Sequence, residues 1–94
     1  MLANLPINLE NVDKQHLDKE ILRAGILAEL DAISFYEQMA SMTDNKDLKK
    51  ILLDVAKEEK THVGEFQTLL LKEDLEQAEE LEKGKEEVQE ELSE

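Results

Sequence analysis

From Leu22 onward the chain carries a line of positions, Leu22, Ile26, Glu29, Ile33, Tyr36 and Ala40, separated by steps of 4, 3, 4, 3 and 4. Alternating threes and fours mark one seam of a helix in a bundle. The pattern predicts a helix over "KEILRAGILAELDAISFYEQMASM", with Asp18 as its N-cap and Glu20 in its first turn. A second line, Leu52, Val55, Glu59, His62, Phe66 and Leu69, runs in steps of 3, 4, 3, 4 and 3. Between the two lie Thr43, Asp44 and Asn45, turn and cap formers that place the second helix start near Asn45 or Lys46. So short a turn predicts two antiparallel helices side by side, each of about 25 residues and roughly 37 Å at ~1.5 Å per residue.

Outside this hairpin the pattern weakens. Residues 1 to about 17, with Pro6 and several Asn, read as irregular. After Leu71 the composition turns to "KEDLEQAEELEKGKEEVQEELSE", with a thin apolar edge of Leu75, Ala78, Leu81, Val88 and Leu92. A third helix is expected to about Lys83, weakened at Gly84.

Composition narrows the reading. A chain of 94 residues with three Gly, one Pro, two Phe, one Tyr and no Trp suits long helices in a single domain. Such a domain is marginal alone, and oligomerisation is one remedy. With no cysteine, disulfides, thiolate catalysis and iron–sulfur clusters are excluded. The net charge of −13 argues against a nucleic-acid partner. Residues 72–94 hold eleven acids and three bases, so −8 of that charge lies in the tail. No apolar run is long enough for a membrane span, and the N-terminus has no secretory signal pattern. A cytoplasmic protein is expected.

Each seam has one break in matching chemistry: Glu29 in the first helix, Glu59 and His62 in the second. With the turn centred near residue 44, Glu29 lies 15 positions before it and Glu59 lies 15 after, so the two should be level and face the same interior. Two carboxylates buried together are costly. One of them could stay protonated, His62 could pair with them, or a metal could take all three as ligands. Glu59 and His62, at i and i+3, reach a common point, and mixed carboxylate and imidazole ligation suits iron, manganese or zinc. A Glu-x-x-His on a helix is also a common surface pair, and the placement on an apolar stripe facing a level Glu is what favours metal. A bundle di-iron site takes a Glu from each of two helices and a Glu-x-x-His from each of the other two. This chain holds one of each, so a two-fold dimer would complete the site and cover the apolar seams.

With these residues in place, "AELDAISFYEQMA" (28–40) and "DVAKEEKTHVGEF" (54–66) resemble the ferritin-like superfamily, in particular the encapsulated ferritins, half-length relatives of ferritin and rubrerythrin. The resemblance implies an all-α fold in residues 1–94: a hairpin over 18–71 and an acidic helix or tail over 72–94, dimerising into a four-helix bundle. It implies a decameric ring, a pentamer of dimers, with a di-iron ferroxidase centre where two subunits meet. The ring is open and works inside an encapsulin nanocompartment, with the encapsulin shell protein as partner and iron storage as purpose. Glu29, Glu59 and His62 match the family's metal ligands. Tyr36 matches a tyrosine beside the site, where it would hydrogen-bond a ligand carboxylate. Asp31 matches an acid on the path by which metal enters, although Ala28 stands where a second acid is frequent. Phe35 replaces a tryptophan found in some members. No CxxC pair is present, which excludes a rubredoxin module, and the ending "EELSE" is not a small, apolar shell-targeting peptide.

Two rivals have other signatures. A metal-buffering module would bind metal without turnover, and a structural hairpin would gain nothing from metal. Glu58, Glu65 and Asp54 read as solvated or interfacial acids, with a supporting or metal-entry role as the alternative, His16 as a surface histidine, and Met39 and Met42 as core filler. Gly25 and Gly64 are read as allowing close helix approach.

Overall fold

The computed structural model describes residues 8–93, and within them every regular element is helical. Two short 3-10 turns, Leu9–Asn11 and Lys14–His16, lead into α1 (Leu17–Met42). Helix α2 (Lys46–Glu73) returns antiparallel to it, and α3 (Leu75–Leu92) follows. The expectation for residues 1–7 lies outside the described residues.

The turn forms as its polar residues dictate. Thr43 Oγ1 accepts from the Asn45 N–H at 3.1 Å, and Asn45 Oδ1 accepts from Asp47 and Leu48 N–H at 3.1 and 3.0 Å. Two of the orphan donors of α2 are thereby satisfied. Asp18 is not the N-cap expected. The 3-10 turn at Lys14–His16 hands over a chain already helical at Leu17, so the cap position falls on His16, whose side chain makes no capping bond. Asp18 and Glu20 instead lie in the first turn, where their charge suits the helix dipole.

A second corner is turned by one residue. Asp74 donates its N–H to the Leu70 carbonyl at 2.9 Å, closing α2. Its Oδ1 accepts from the Gln77 N–H at 3.0 Å, opening α3. Its Oδ2 accepts from Arg23 of α1 at 2.7 Å, and Arg23 also holds Glu20 at 2.8 Å. This cap explains why α3 runs through Gly84 to Leu92 rather than stopping near Lys83: a well-capped start and a run of good helix formers carry it past one glycine. The helix packs on α2 beside the corner and buries none of its own residues, giving a molecule 46 × 46 × 20 Å.

The core is thin. Ile33 and Ala40 of α1 and Ala56 and Leu70 of α2 are the only buried apolar side chains among the described residues. Ile33 and Ala40 belong to the expected seam. On α2 the inward positions are shifted: Leu70 is buried and Leu69 is exposed, because the stripe is wider than one line and its outer edge has nothing in this chain to cover it. Met42, at the last turn of α1, is exposed rather than core.

Candidate metal centre

Halfway along the hairpin, Glu29 on α1 faces Glu59 and His62 on α2. One ligand atom from each lies within 4.8 Å of the others. His62 Nδ1 is 3.4 Å from Glu29 Oε1 and 3.5 Å from Glu59 Oε2. The helix period brings Glu59 and His62 to one point, and the antiparallel turn brings Glu29 level with them. The carboxylates are largely withdrawn from solvent, with side chains 17% and 19% exposed, while the imidazole is 44% exposed. Glu29 Oε2 is buried and accepts no hydrogen bond from any described residue. A buried carboxylate oxygen without a donor is expensive, and a cation is one group that would satisfy it.

The other expected residues fall elsewhere. Tyr36 is half-buried two turns along the seam, its ring 5.5 Å from Phe35, and its hydroxyl makes no hydrogen bond to the three among the described residues. Asp31 is half-buried and outside the group, since two residues place it about 200° round the helix from Glu29. Glu58, Asp54 and His16 are exposed, as expected of solvated groups.

A groove of about 440 Å³ opens beside the group, lined by Glu29, His62, Glu65, Phe66 and Leu69. It continues through Leu69 into a second hollow of about 260 Å³ with Asp18, Ile21, Leu22 and Glu73. The trough and the site therefore share one side of the hairpin. The same side carries exposed Ile21 (46%), Leu69 (51%) and Ile51 (60%), the last two being five turns apart and so on one face. Glu65, expected as a solvated or interfacial acid, lines the groove one turn beyond His62. Arg23 left no signal, because its partner Asp74 lies 51 residues away.

Among the described residues, no helix is long and apolar enough to cross a membrane. The rubrerythrin family is matched over residues 20–94. A ferritin-like–encapsulin shell fusion protein of Pyrococcus furiosus is 56% identical over 85 residues, covering 87% of this chain and 25% of that protein. An encapsulin nanocompartment cargo protein of Myxococcus xanthus is 41% identical over 70 residues, covering 71% of this chain and 54% of its own length. The chain thus spans a quarter of the first relative and about half of the second. The crystal structure of an encapsulated ferritin domain from Pyrococcus furiosus matches with a TM-score of 0.81 at 52% identity, over 96% of this chain and 94% of that one. An all-helical hairpin with a level Glu and Glu-x-x-His, matched in this way by sequence and by structure, belongs to the rubrerythrin family of ferritin-like proteins, as a domain of the encapsulated-ferritin kind.

Proposed function

We propose that this chain is one half of a ferroxidase centre. Two copies join across the His62 side of the hairpin, and their Glu29, Glu59 and His62 bind ferrous iron and support its oxidation to ferric iron. The observation that carries this reading is one ligand atom from each of the three side chains within 4.8 Å of the others, together with a Glu29 oxygen that is buried and accepts no hydrogen bond among the described residues.

Iron is the substrate, and the donors suit it: carboxylate oxygens and an imidazole nitrogen are a fitting set for iron. Two copies bring four carboxylates and two imidazoles, the set of a bundle di-iron site. Their four negative charges balance two divalent ions. Two ferrous ions release two electrons, which with two protons reduce dioxygen to hydrogen peroxide. Glu29 and Glu59 each offer two oxygens, so they can hold an ion before and after its charge changes. His62 supplies a neutral donor through Nδ1, the nitrogen turned toward both carboxylates. Tyr36 we assign to support of a ligand carboxylate within the dimer, and Asp31 to the route by which iron arrives.

Residues 1–94 act here as one domain, the hairpin carrying the site and residues 72–94 forming its acidic arm. The uncovered apolar side that holds His62 supports the dimer, because a patch of that kind in a small domain is normally an interface. Relatives named as an encapsulin shell fusion and an encapsulin cargo support placing this domain with an encapsulin nanocompartment; the decameric ring, the cytoplasmic setting and the storage of oxidised iron complete the proposal. The test is optical measurement of aerobic Fe²⁺ oxidation, alongside mass measurement with and without metal. Glu29→Ala, Glu59→Ala and His62→Ala should each remove most of the rate above background, and wild-type rates in all three would refute the assignment.

A further inference from the structure

The groove beside the site has one aromatic wall. Phe66 follows His62 by four residues, and Gly25 precedes Glu29 by four. Ring and glycine therefore each sit one turn from a site residue, on facing helices. They are also in contact. A Cβ placed on Gly25 would lie 3.3 Å from both Cδ2 and Cε2 of Phe66, closer than the ~3.5–4.0 Å of a comfortable carbon contact. At Gly64 and Gly84 the same added atom would meet nothing within 4 Å. The close approach expected at two glycines thus exists at Gly25 and not at Gly64. Glycine in a helix interior is costly, and Gly25 alone of the three has a packing reason to be there.

The site gives that contact a purpose. His62 is 44% exposed, so burial does not hold its ring, yet its Nδ1 must face both carboxylates at once. Of the other side chains lining the groove on α2, Glu65 and Leu69 are exposed and only Phe66 is half-buried. Phe66 is therefore the neighbour able to occupy the space into which the imidazole would otherwise swing. We propose that Gly25 and Phe66 are positioning residues for metal binding: the missing side chain of Gly25 seats the phenyl ring against α1, and the seated ring keeps His62 turned toward Glu29 and Glu59. This rests on the reading of those three residues as ligands, and it adds two residues that bind nothing themselves.

The test combines metal-free and metal-bound measurements on the full chain. In the metal-free protein, with His16→Gln leaving one histidine to observe, the imidazole resonances of His62 should shift in both Gly25→Ala and Phe66→Leu. In the second variant they should also lose the ring-current displacement. In anaerobic Co²⁺ titration followed by visible absorption, Gly25→Ala should weaken binding about tenfold, the scale on which groups supporting a ligand act. In the Phe66→Leu background, where the shorter side chain leaves room for a methyl group, Gly25→Ala should cost no further affinity. That non-additivity marks residues acting through one another. Alanine's better helix propensity offsets part of the cost of moving the ring, so metal-free Gly25→Ala should keep the helical circular dichroism of wild type at the titration temperature, which separates lost positioning from lost folding. Wild-type affinity in Gly25→Ala, equal losses in both backgrounds, or unchanged His62 resonances would overturn the proposal. Co²⁺ affinity insensitive to Glu59→Gln would instead sink the ligand assignment, while the metal-free resonances would still judge whether Gly25 and Phe66 hold the ring.

Discussion

Glu29→Gln should reverse its effect on stability according to whether metal is present. Without metal, wild type carries a carboxylate only 17% exposed, one of whose oxygens accepts nothing, beside a second carboxylate. An unsatisfied buried acceptor costs about 1–3 kcal/mol. Glutamine keeps the shape, removes the charge and adds an amide N–H that Glu59 or His62 can accept. A gain of about 1 kcal/mol in a domain of this size raises Tm by roughly 4–8 °C. With metal at a hundred times its Kd, wild type gains about 2.7 kcal/mol per site, or on the order of 10–20 °C. A variant bound a hundredfold more weakly gains only about 0.4 kcal/mol under the same conditions. The two melting curves should therefore cross over: the variant melts higher in chelator, wild type higher in Co²⁺ or Zn²⁺. Circular dichroism melts at one fixed protomer concentration would read this, because dimerisation makes Tm concentration-dependent. A variant that melts below wild type in chelator, or that gains as much from metal, would refute the reasoning.

Two further outcomes follow from the helix ends and interiors. The Asp74 carboxyl is held below its ordinary range, first by the Gln77 backbone N–H and then by Lys19 and Arg23, against an opposing push from burial. Since the folded value is the lower one, its anchoring of α3 is complete above the ordinary aspartate value of about 3.9 and is lost as pH falls below it. Amide exchange in α3 should rise across that acid range in wild type but show no such step in Asp74→Asn, which keeps the cap acceptor without the charge, and equal acid responses would refute it. Gly64→Ala and Gly84→Ala, with open space at the added carbon, should each stabilise their helix by up to about 1 kcal/mol; for Gly64→Ala a lower urea midpoint, and for Gly84→Ala faster amide exchange in α3, would count against this.

What the sequence disclosed was local and periodic. The two seams, the Thr43–Asn45 turn and the level placement of Glu29 with Glu59 follow from a period of 3.6 and a count of residues on either side of a turn. Three errors share one cause. Asp18 as N-cap, Leu69 as an inward residue and the end of α3 near Lys83 each depended on what lies next to the element, not on its own pattern. The 3-10 turn before Leu17, the edge of α2 left uncovered and the cap at Asp74 decided them. Arg23 was illegible for a related reason, since nothing in its own segment announces a partner at a corner formed 51 residues later. Phe66 was legible only as an apolar position; its second contact, with Gly25, required knowing which turn of α1 lies opposite.

The distances around His62 help separate a metal site from a salt-bridged core. The ion pairs elsewhere among the described residues are hydrogen-bonded: Arg23 meets Asp74 at 2.7 Å and Glu20 at 2.8 Å, the usual length for a charge-assisted bond, and Lys60 meets Glu37 at 3.1 Å. His62 Nδ1 stops at 3.4 Å from one carboxylate and 3.5 Å from the other, bonded to neither and nearly equidistant from both. A protonated imidazole free to choose would close on one partner. Two donors that each reach ~2.0–2.2 Å to a shared tetrahedral ion stand about 3.4 Å from one another. The two His62 distances fit donors arranged about a common point, on which the group, spread within 4.8 Å, would close when an ion binds. The same logic sets the outcome for the structural alternative: if the hairpin used His62 only to neutralise its acids, His62→Gln would leave metal affinity untouched and the variant would respond to added metal as wild type does.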